Sequence, residues 1–551
     1  VSRHLIEVTT LGDLLLRAAE KWPRAEALVF PGERLTYADL ASRAQDRARA
    51  LNGMGVRPGD HVGILAPNLV EVVEMLFAIA LNGAVAVLIN ARYKSFELAY
   101  VIENSDIRVL FTTQRIADYV DFAELLYAAL PGLESAVEPL ALDLEAAPML
   151  RNVVLLEDGA QPGMVAWQRF RAFADQVGEE DVWRRRSRVA LRDPCIMMYT
   201  SGTTANPKGC RLSHEALVRN AREMGARFEI TAADRQFNPL PMFHMSSILP
   251  LLSVFWSGAC YITNTHFDAD AAMDAIYAER PTIFFTAFPA IMSALVNHPR
   301  FDADRMPQLR LVNNVAPPNQ LKKNMEILPQ AVHVSAYGLT EASGVSCNGH
   351  AGEDDETRAH TCGRPYEGVQ LRVVDLASGE DVAAGQPGEV LIRGFSLFEG
   401  YYKSPEKTAE AIDADGWLHT GDIATLDSGG RVSYQGRIKD MLKVGGENVA
   451  AIEIESFLLQ HPAVQMVQVV GVPDAKMFEV AAAFVELAPG AQCTEEEIVG
   501  FCRNKIASFK IPRHVRFVTE WPMSATKVQK FRLRERLLQE LDAVADDDSR
   551  T

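Results

Sequence analysis

The chain has 551 residues, 48% hydrophobic and 23% charged, which excludes a disordered chain and leaves room for more than one domain. A net charge of −17 argues against nucleic acid or an anionic membrane as the main partner, while leaving room for a locally basic nucleotide site. Seven scattered cysteines form no CxxC or Cys/His metal spacing, and residues 1–7 carry no signal-peptide pattern, so the expectation is a reduced, cytoplasmic protein.

Residues 10–22 predict an amphipathic helix. Thr36 and Asp39 form a capping-box pattern ahead of Leu40, Ala44, Ala48 and Leu51 at helical spacing. A strand is predicted over 61–65, then a helix from Leu69, a strand over 85–89, a helix over 96–102 and a strand over 109–112. The uncharged stretch 75–91 is the most membrane-like in the chain. Asn82-Gly83 divide it, so it reads as a helix, a glycine stop and a buried strand, with no transmembrane segment. This alternation predicts an α/β class: parallel-rich sheets with helices on both faces. Residues 131–161 are poorly patterned and predict an irregular surface connection. Arg184-Arg185-Arg186 predicts a solvated linker. Helix–strand alternation resumes over 214–334, and strands are expected over 390–393 and 431–435. Beyond 436–440 the pattern changes to short α+β units, with a helix over 452–460, strands over 464–470, 481–486 and 514–518, and a capping box at Thr494 and Glu497. The reading is an N-terminal domain, 1–436, and a small mobile C-terminal domain, 437–551, joined by a hinge at 436–440.

Residues 199–209 read Tyr-Thr-Ser-Gly-Thr-Thr-Ala-Asn-Pro-Lys-Gly. A buried strand is predicted before them, and Ser213 precedes a helical pattern, so the loop is expected between a strand and a helix. The hydroxyls of Thr200, Ser201, Thr203 and Thr204, the Gly202 backbone and Lys208 suit the oxygens of a polyphosphate. Gly202 and Lys208 have the P-loop separation, but Pro207 removes an N–H donor and Gly209 stands where a P-loop has its magnesium-binding Ser or Thr. A P-loop kinase is thereby excluded. The run resembles instead the phosphate loop of the adenylate-forming enzymes: acyl- and aryl-CoA synthetases, adenylation domains and firefly-type luciferases. Their usual form is TSGTTGxPKG, and Ala205 takes the usual glycine place.

Further segments match this family in order, from about residue 11 to residue 541. Pro241-Met-Phe-His244 and the apolar run ending at Phe288 resemble segments beside the acyl site, to which the resemblance also assigns Asn314 and Ala336. Asn314-Val315-Ala316-Pro317 stands where relatives have Gly-Gly-Ala-Pro, so Val315, Ala316 and Pro317 would wall the adenine and acyl sites with a β-carbon where backbone usually lies. Tyr337-Gly338-Leu-Thr340-Glu341 matches YGxTE. There the Tyr ring packs on adenine, the Thr meets the α-phosphate and Glu341 helps hold Mg²⁺. Asp422, in Trp417-Leu-His-Thr-Gly-Asp, and Arg437 match the two ribose-contacting residues. Lys439 matches the pivot of the hinge. Gly445-Gly446-Glu447-Asn448 resembles the loop of CoA ligases in particular, whose backbone approaches pantetheine. The segment 522–534 resembles the catalytic-lysine motif PxTxTGKxxKxxLR; one glycine is missing, and the register favours Lys527 over Lys530.

The resemblance implies an ATP-dependent acyl-CoA synthetase. It would convert a carboxylic acid and MgATP to acyl-AMP, then pass the acyl group to CoA, with Lys527, Thr340, Glu341 and Lys439 in the catalytic roles. Val315 and the Phe284–Phe288 run fit a medium- or long-chain or a bulky alicyclic acid. Two alternatives stand beside it at this level: an adenylating enzyme with a carrier-protein or other acceptor, and a nucleotide-binding sensor without catalysis. The partners implied are the acid, ATP and CoA, with a homodimer as the assembly considered.

Overall fold

The computed structural model describes residues 9–200, 206–444, 447–474, 476–503, 505–523 and 528–548. Local chemistry starts several helices. The Thr10 hydroxyl accepts the Asp13 amide at the head of helix Leu11–Lys21, and Thr36 and Asp39 complete a reciprocal capping box at Tyr37–Gly53. The apolar stretch resolves as helix Val70–Leu81, a turn with Gly83 at φ 68°, and strand Val85–Leu88. That helix is buried nearly all round. Its one buried carboxylate, Glu74, is paired with Arg43 at 3.1 Å and Arg47 at 2.9 Å, which compensates the charge inside the protein. No helix among the described residues is long and apolar enough to cross a membrane.

Two large sheets build the N-terminal part. One has six strands in the order Asn152–Leu155, Ile107–Thr112, His61–Leu65, Val85–Leu88, Pro194–Thr200, Lys208–Ser213, parallel except for the last pair. The other has seven, in the order Val332–Val334, Leu311–Asn314, Ile283–Ala287, Arg235–Phe237, Cys260–Ile262, Glu26–Phe30, Glu33–Thr36, parallel except for the hairpin at its end. Alternate residues of both sheets, such as Ile64 and Phe111 from one and Ile283 and Phe285 from the other, meet in one central core with the helices between them. The opposite faces pack in separate outer clusters, Leu110 in one and Phe284 in another. A four-stranded antiparallel sheet follows, from Val369–Val374 to Val432–Arg437. A separate small C-terminal domain has its own sheet and its own cores, drawn from residues after 440.

Three expectations are corrected, and one helix adds to them. The phosphate-loop candidate does not join a strand to a helix: it joins two antiparallel strands, and the helix His214–Arg227, capped by Ser213 as expected, begins only after the second. Gly209 has a packing reason, since a β-carbon there would lie 2.8 Å from Met197 Sδ. The connection 131–161 is not wholly irregular, because Asn152–Leu155 forms the edge strand of the six-stranded sheet. The arginine triplet closes a helix, Glu179–Arg186, with three acids in its first turn and three bases in its last, which suits the helix dipole. Arg186 there pairs with Asp13, and Arg185 donates to the Val56 carbonyl. The catalytic-lysine segment runs into an unforeseen long helix, Lys530–Asp548.

Candidate active site

Parallel strands of the seven-stranded sheet deliver several singled-out residues at their carboxyl ends, where open α/β sheets bind ligands. His244 follows strand Arg235–Phe237 after a short loop and stands at the N-cap position of helix Met245–Ser257. Phe288 follows Ile283–Ala287, Val315 to Pro317 follow Leu311–Asn314, and Ala336-Tyr337 form a short strand just after Val332–Val334. Asn314 is buried and donates from Nδ2 to Thr286 Oγ1 at 3.1 Å and to the Phe288 carbonyl at 3.4 Å, tying two of these strand ends together. Val315 is 37% exposed. Phe284 and Phe285 are core residues on opposite faces of their strand, and of that run only Phe288 is partly exposed.

The segment Tyr337 to Glu341 carries two clusters. At one end, the buried Tyr337 hydroxyl donates to Asp422 Oδ2 at 2.9 Å, and its ring stacks on Tyr434 with centroids 6.0 Å apart. Asp422 is 5% exposed and sits directly opposite Arg437 in the antiparallel pair, with Arg437 Nε 3.4 Å from Oδ1. Burial, then the Asp422 charge, pushes the Tyr337 phenol well above its usual range. Burial opposes the charge of Arg437, but Asp422, Tyr434 and Asp440 together outweigh this and raise its pKa. Lys439 follows in the turn Ile438–Asp440. Crowding around its ammonium, then the charge of Arg437, lowers its pKa.

At the other end, Glu341 Oε1 accepts the Tyr401 hydroxyl at 2.8 Å, and Lys208 Nζ lies 4.1 Å from the centroid of the Tyr401 ring. Lys208 faces Thr200 across the strand pair, so both feet of the phosphate-loop candidate are fixed by the sheet. The Cys210 thiol is pushed up by burial and then by Glu341. Between the clusters, Gly338 admits no side chain: a β-carbon would lie 1.9 Å from the Gly344 carbonyl oxygen. Thr340 opens the following 3₁₀ turn.

Ser201, Gly202, Thr203, Thr204, Gly445, Gly446 and Lys527 lie outside the described residues, as does the side chain of Glu447, whose backbone begins strand Glu447–Ala450. Lys530, the other lysine of that motif, donates to Glu455 Oε1 at 2.6 Å within the small domain. Sequence reasoning missed Tyr401 and Tyr434. Neither stands in a motif, although Tyr434 is three residues before Arg437 on the same strand, and Tyr401 follows the turn at Gly400.

Residues 15–402 match the AMP-binding enzyme family, and residues 453–527 match the AMP-binding enzyme C-terminal domain. This chain belongs to the AMP-binding enzyme family. It is 36% identical over 540 residues to YngI of Bacillus subtilis, covering 96% of this chain and 97% of that protein. It is 34% identical over 557 residues to the mitochondrial medium-chain acyl-CoA ligase ACSF2 of Homo sapiens, covering 97% of this chain and 88% of that one. The anthranilate CoA ligase AuaEII, solved with anthranoyl-AMP, superposes with a TM-score of 0.84 at 29% identity over 98% of this chain and 99% of that one. ATP-bound MatB from Rhodopseudomonas palustris gives 0.79 at 25% identity, with coverage of 95% and 98%. The ligase is therefore an AMP-forming acid–CoA ligase that uses ATP and CoA, which decides against the carrier-protein and sensor alternatives.

Proposed function

We propose that the nucleotide lies along the segment Tyr337 to Glu341, with its nucleoside at the Asp422 end and its phosphates at the Glu341 end. The supporting observation is that this one short segment contacts both clusters, a carboxylate–guanidinium pair at one end and a carboxylate, phenol and lysine at the other. Asp422 suits a diol, since a carboxylate can accept from two hydroxyls. The Tyr337 ring, backed by Tyr434, offers a flat apolar surface to a base. Thr200, Ser201, Gly202, Thr203, Thr204 and Lys208 would hold the phosphates, and Val315, Ala316, Pro317 and Gly338 would shape the wall beside the base.

Magnesium fits Glu341. Its carboxylate is tethered through one oxygen to Tyr401, and one carboxylate beside substrate phosphates is a usual way to hold this ion. When bound, the ion would neutralise charge on the phosphate oxygens. In the first half-reaction, the substrate carboxylate attacks the α-phosphorus of ATP and pyrophosphate leaves. Lys527 and Thr340 would donate to the phosphoryl oxygens as their charge grows, each preorganised donor being worth roughly 3 kcal/mol of barrier. The Lys530–Glu455 pair supports Lys527 as the reacting lysine, because Lys530 already has a carboxylate partner. In the second half-reaction, the CoA thiol attacks the acyl carbonyl and AMP leaves. We assign the domain boundary and hinge to 436–440, with Lys439 as pivot, and the pantetheine approach to Gly445, Gly446 and Glu447.

The acyl substrate we propose is a medium- or long-chain or bulky alicyclic acid, held near His244, Phe288, Asn314 and Ala336. The exposed apolar Val315 at a strand end supports this reading, as does the medium-chain specificity in the name of the ACSF2 relative. A panel of carboxylic acids assayed for CoA-dependent AMP release tests it. The highest kcat/KM is expected for acids of those classes, and a preference for acetate or malonate would overturn the assignment.

A further inference from the structure

Two side-chain amides are stranded inside the N-terminal domain. Gln236 and Asn313 are fully buried, and neither oxygen nor nitrogen of either amide has a hydrogen-bond partner among the described residues. Buried amides are ordinarily satisfied, and each can donate and accept. The protein's own packing therefore does not account for the polarity of these two.

Their place in the sheet says what else they face. Gln236 pairs with Tyr261, whose hydroxyl is 2.8 Å from Ser247 Oγ on helix Met245–Ser257. Asn313 pairs with Phe285 and Val334, which belong to the central core with Met245 and Leu249. Paired residues of neighbouring strands project to the same face, so both amides point to the inner side of the sheet. Both also sit close to the carboxyl ends of their strands. Asn313 directly precedes Asn314 and Val315. Gln236 lies two residues before Asn238, whose Nδ2 donates to the Ser246 carbonyl at 2.9 Å, tethering the loop that carries His244. One strand residue spans about 3.3 Å. A chain entering between the strand ends and this helix meets the amides within a few carbon atoms.

We propose that Gln236 and Asn313 are specificity-determining residues that bind a neutral oxygen substituent, hydroxyl or oxo, on the acyl chain, so that the acid activated is an oxygenated one. The amide NH₂ groups donate to either kind of oxygen, and the amide carbonyls accept a hydroxyl proton. The substituent is neutral because neither amide carries the charge that a buried ionic group would need. The inference rests on the reading that the acyl group enters beside His244 and Val315.

The test uses the full chain, with ATP, CoA and matched pairs of medium-chain acids, plain and bearing one hydroxyl or oxo group along the chain. At least one oxygenated acid is expected to exceed its plain counterpart tenfold or more in kcat/KM, because a site built to bond an oxygen discriminates against the analogue lacking it. Gln236→Met and Asn313→Leu are each expected to lower that ratio about tenfold or more; Asn313→Ser serves where the leucine variant does not fold. Plain acids preferred at every chain length would overturn the proposal and leave the amides to buried water. A ratio unchanged in the variants would overturn the assignment to these residues. Turnover of plain and oxygenated acids without preference sinks this proposal alone, whereas loss of the wider acyl-site reading would appear as turnover indifferent to His244→Ala and Val315→Gly.

Discussion

Replacing Asp422 by alanine tests the nucleoside end of the site, and its cost divides into two parts. The stability part follows from burial. Tyr337 loses the acceptor of its hydroxyl at 2.9 Å in a place almost closed to water, which costs about 1–3 kcal/mol. Arg437 loses a partner at 3.4 Å, but its side chain is 36% exposed, so solvent screens that loss to about 1 kcal/mol or less. The binding part is the loss of charge-assisted hydrogen bonds to the ribose, about 1.5–3 kcal/mol, or roughly tenfold to a hundredfold in KM for ATP. Asp422→Asn separates the two. It keeps an oxygen for Tyr337, so its melting temperature should stay near that of the parent, while its KM for ATP still rises. The assay is acid-dependent pyrophosphate exchange at varied ATP, with circular dichroism to follow unfolding. A folded Asp422→Ala protein with unchanged ATP kinetics would refute the assignment.

Lys527→Ala should cripple pyrophosphate exchange yet still convert supplied acyl-AMP to acyl-CoA; normal exchange would transfer the role to Lys530. Lys439→Pro should retain exchange and lose CoA transfer, because proline fixes φ at a pivot, and wild-type rates in both steps would end the hinge assignment. Gly446→Trp should leave acyl-adenylate formation intact and slow thioester formation in single-turnover measurements. Gly338→Ala forces a β-carbon onto the Gly344 carbonyl, so chemical denaturation should show a loss of about 3 kcal/mol or more. His214 is held neutral by burial, its pKa lowered to about 4. The unfolded chain binds a proton there that the folded chain does not, so the contribution of His214 to stability should fall by about 3 kcal/mol as pH drops from about 6.5 to about 4; a pH dependence of the urea midpoint over that window left unaltered by His214→Gln would contradict this.

Short-range chemistry was legible in the sequence. The Thr36 and Thr494 capping boxes, the Ser213 cap and the Asn82-Gly83 break each depend on residues a few positions apart, and each recurs in the structure. What escaped depends on distant partners. The strand Lys208–Ser213 opens with a lysine and has an arginine within it, so it lacks a clean apolar pattern, and only its pairing with Pro194–Thr200 makes it a strand. Asn152–Leu155 is four residues long at a sheet edge, too short to stand out of an irregular stretch. The arginine triplet was misread because its charges drew attention to solvent, although the three acids preceding it already described a dipole-matched helix. In the site, motif order pointed to Tyr337, Glu341, Asp422 and Arg437, but Tyr401 enters only through contacts with Glu341 and Lys208 across long chain separations.

Asp422 and Arg437 face one another on adjoining strands, and the second strand ends at Arg437, one residue before the turn that leads to the small domain. On the proposed assignments, ligand grip and lever arm would share a single residue. A displacement of the small domain that draws Arg437 away would then be felt as a change in nucleotide affinity, and thermodynamic linkage would make the relation reciprocal: the factor by which nucleotide favours one orientation is the factor by which clamping that orientation tightens nucleotide. A crosslink between the domains would then tune ATP binding without altering any residue that touches ATP.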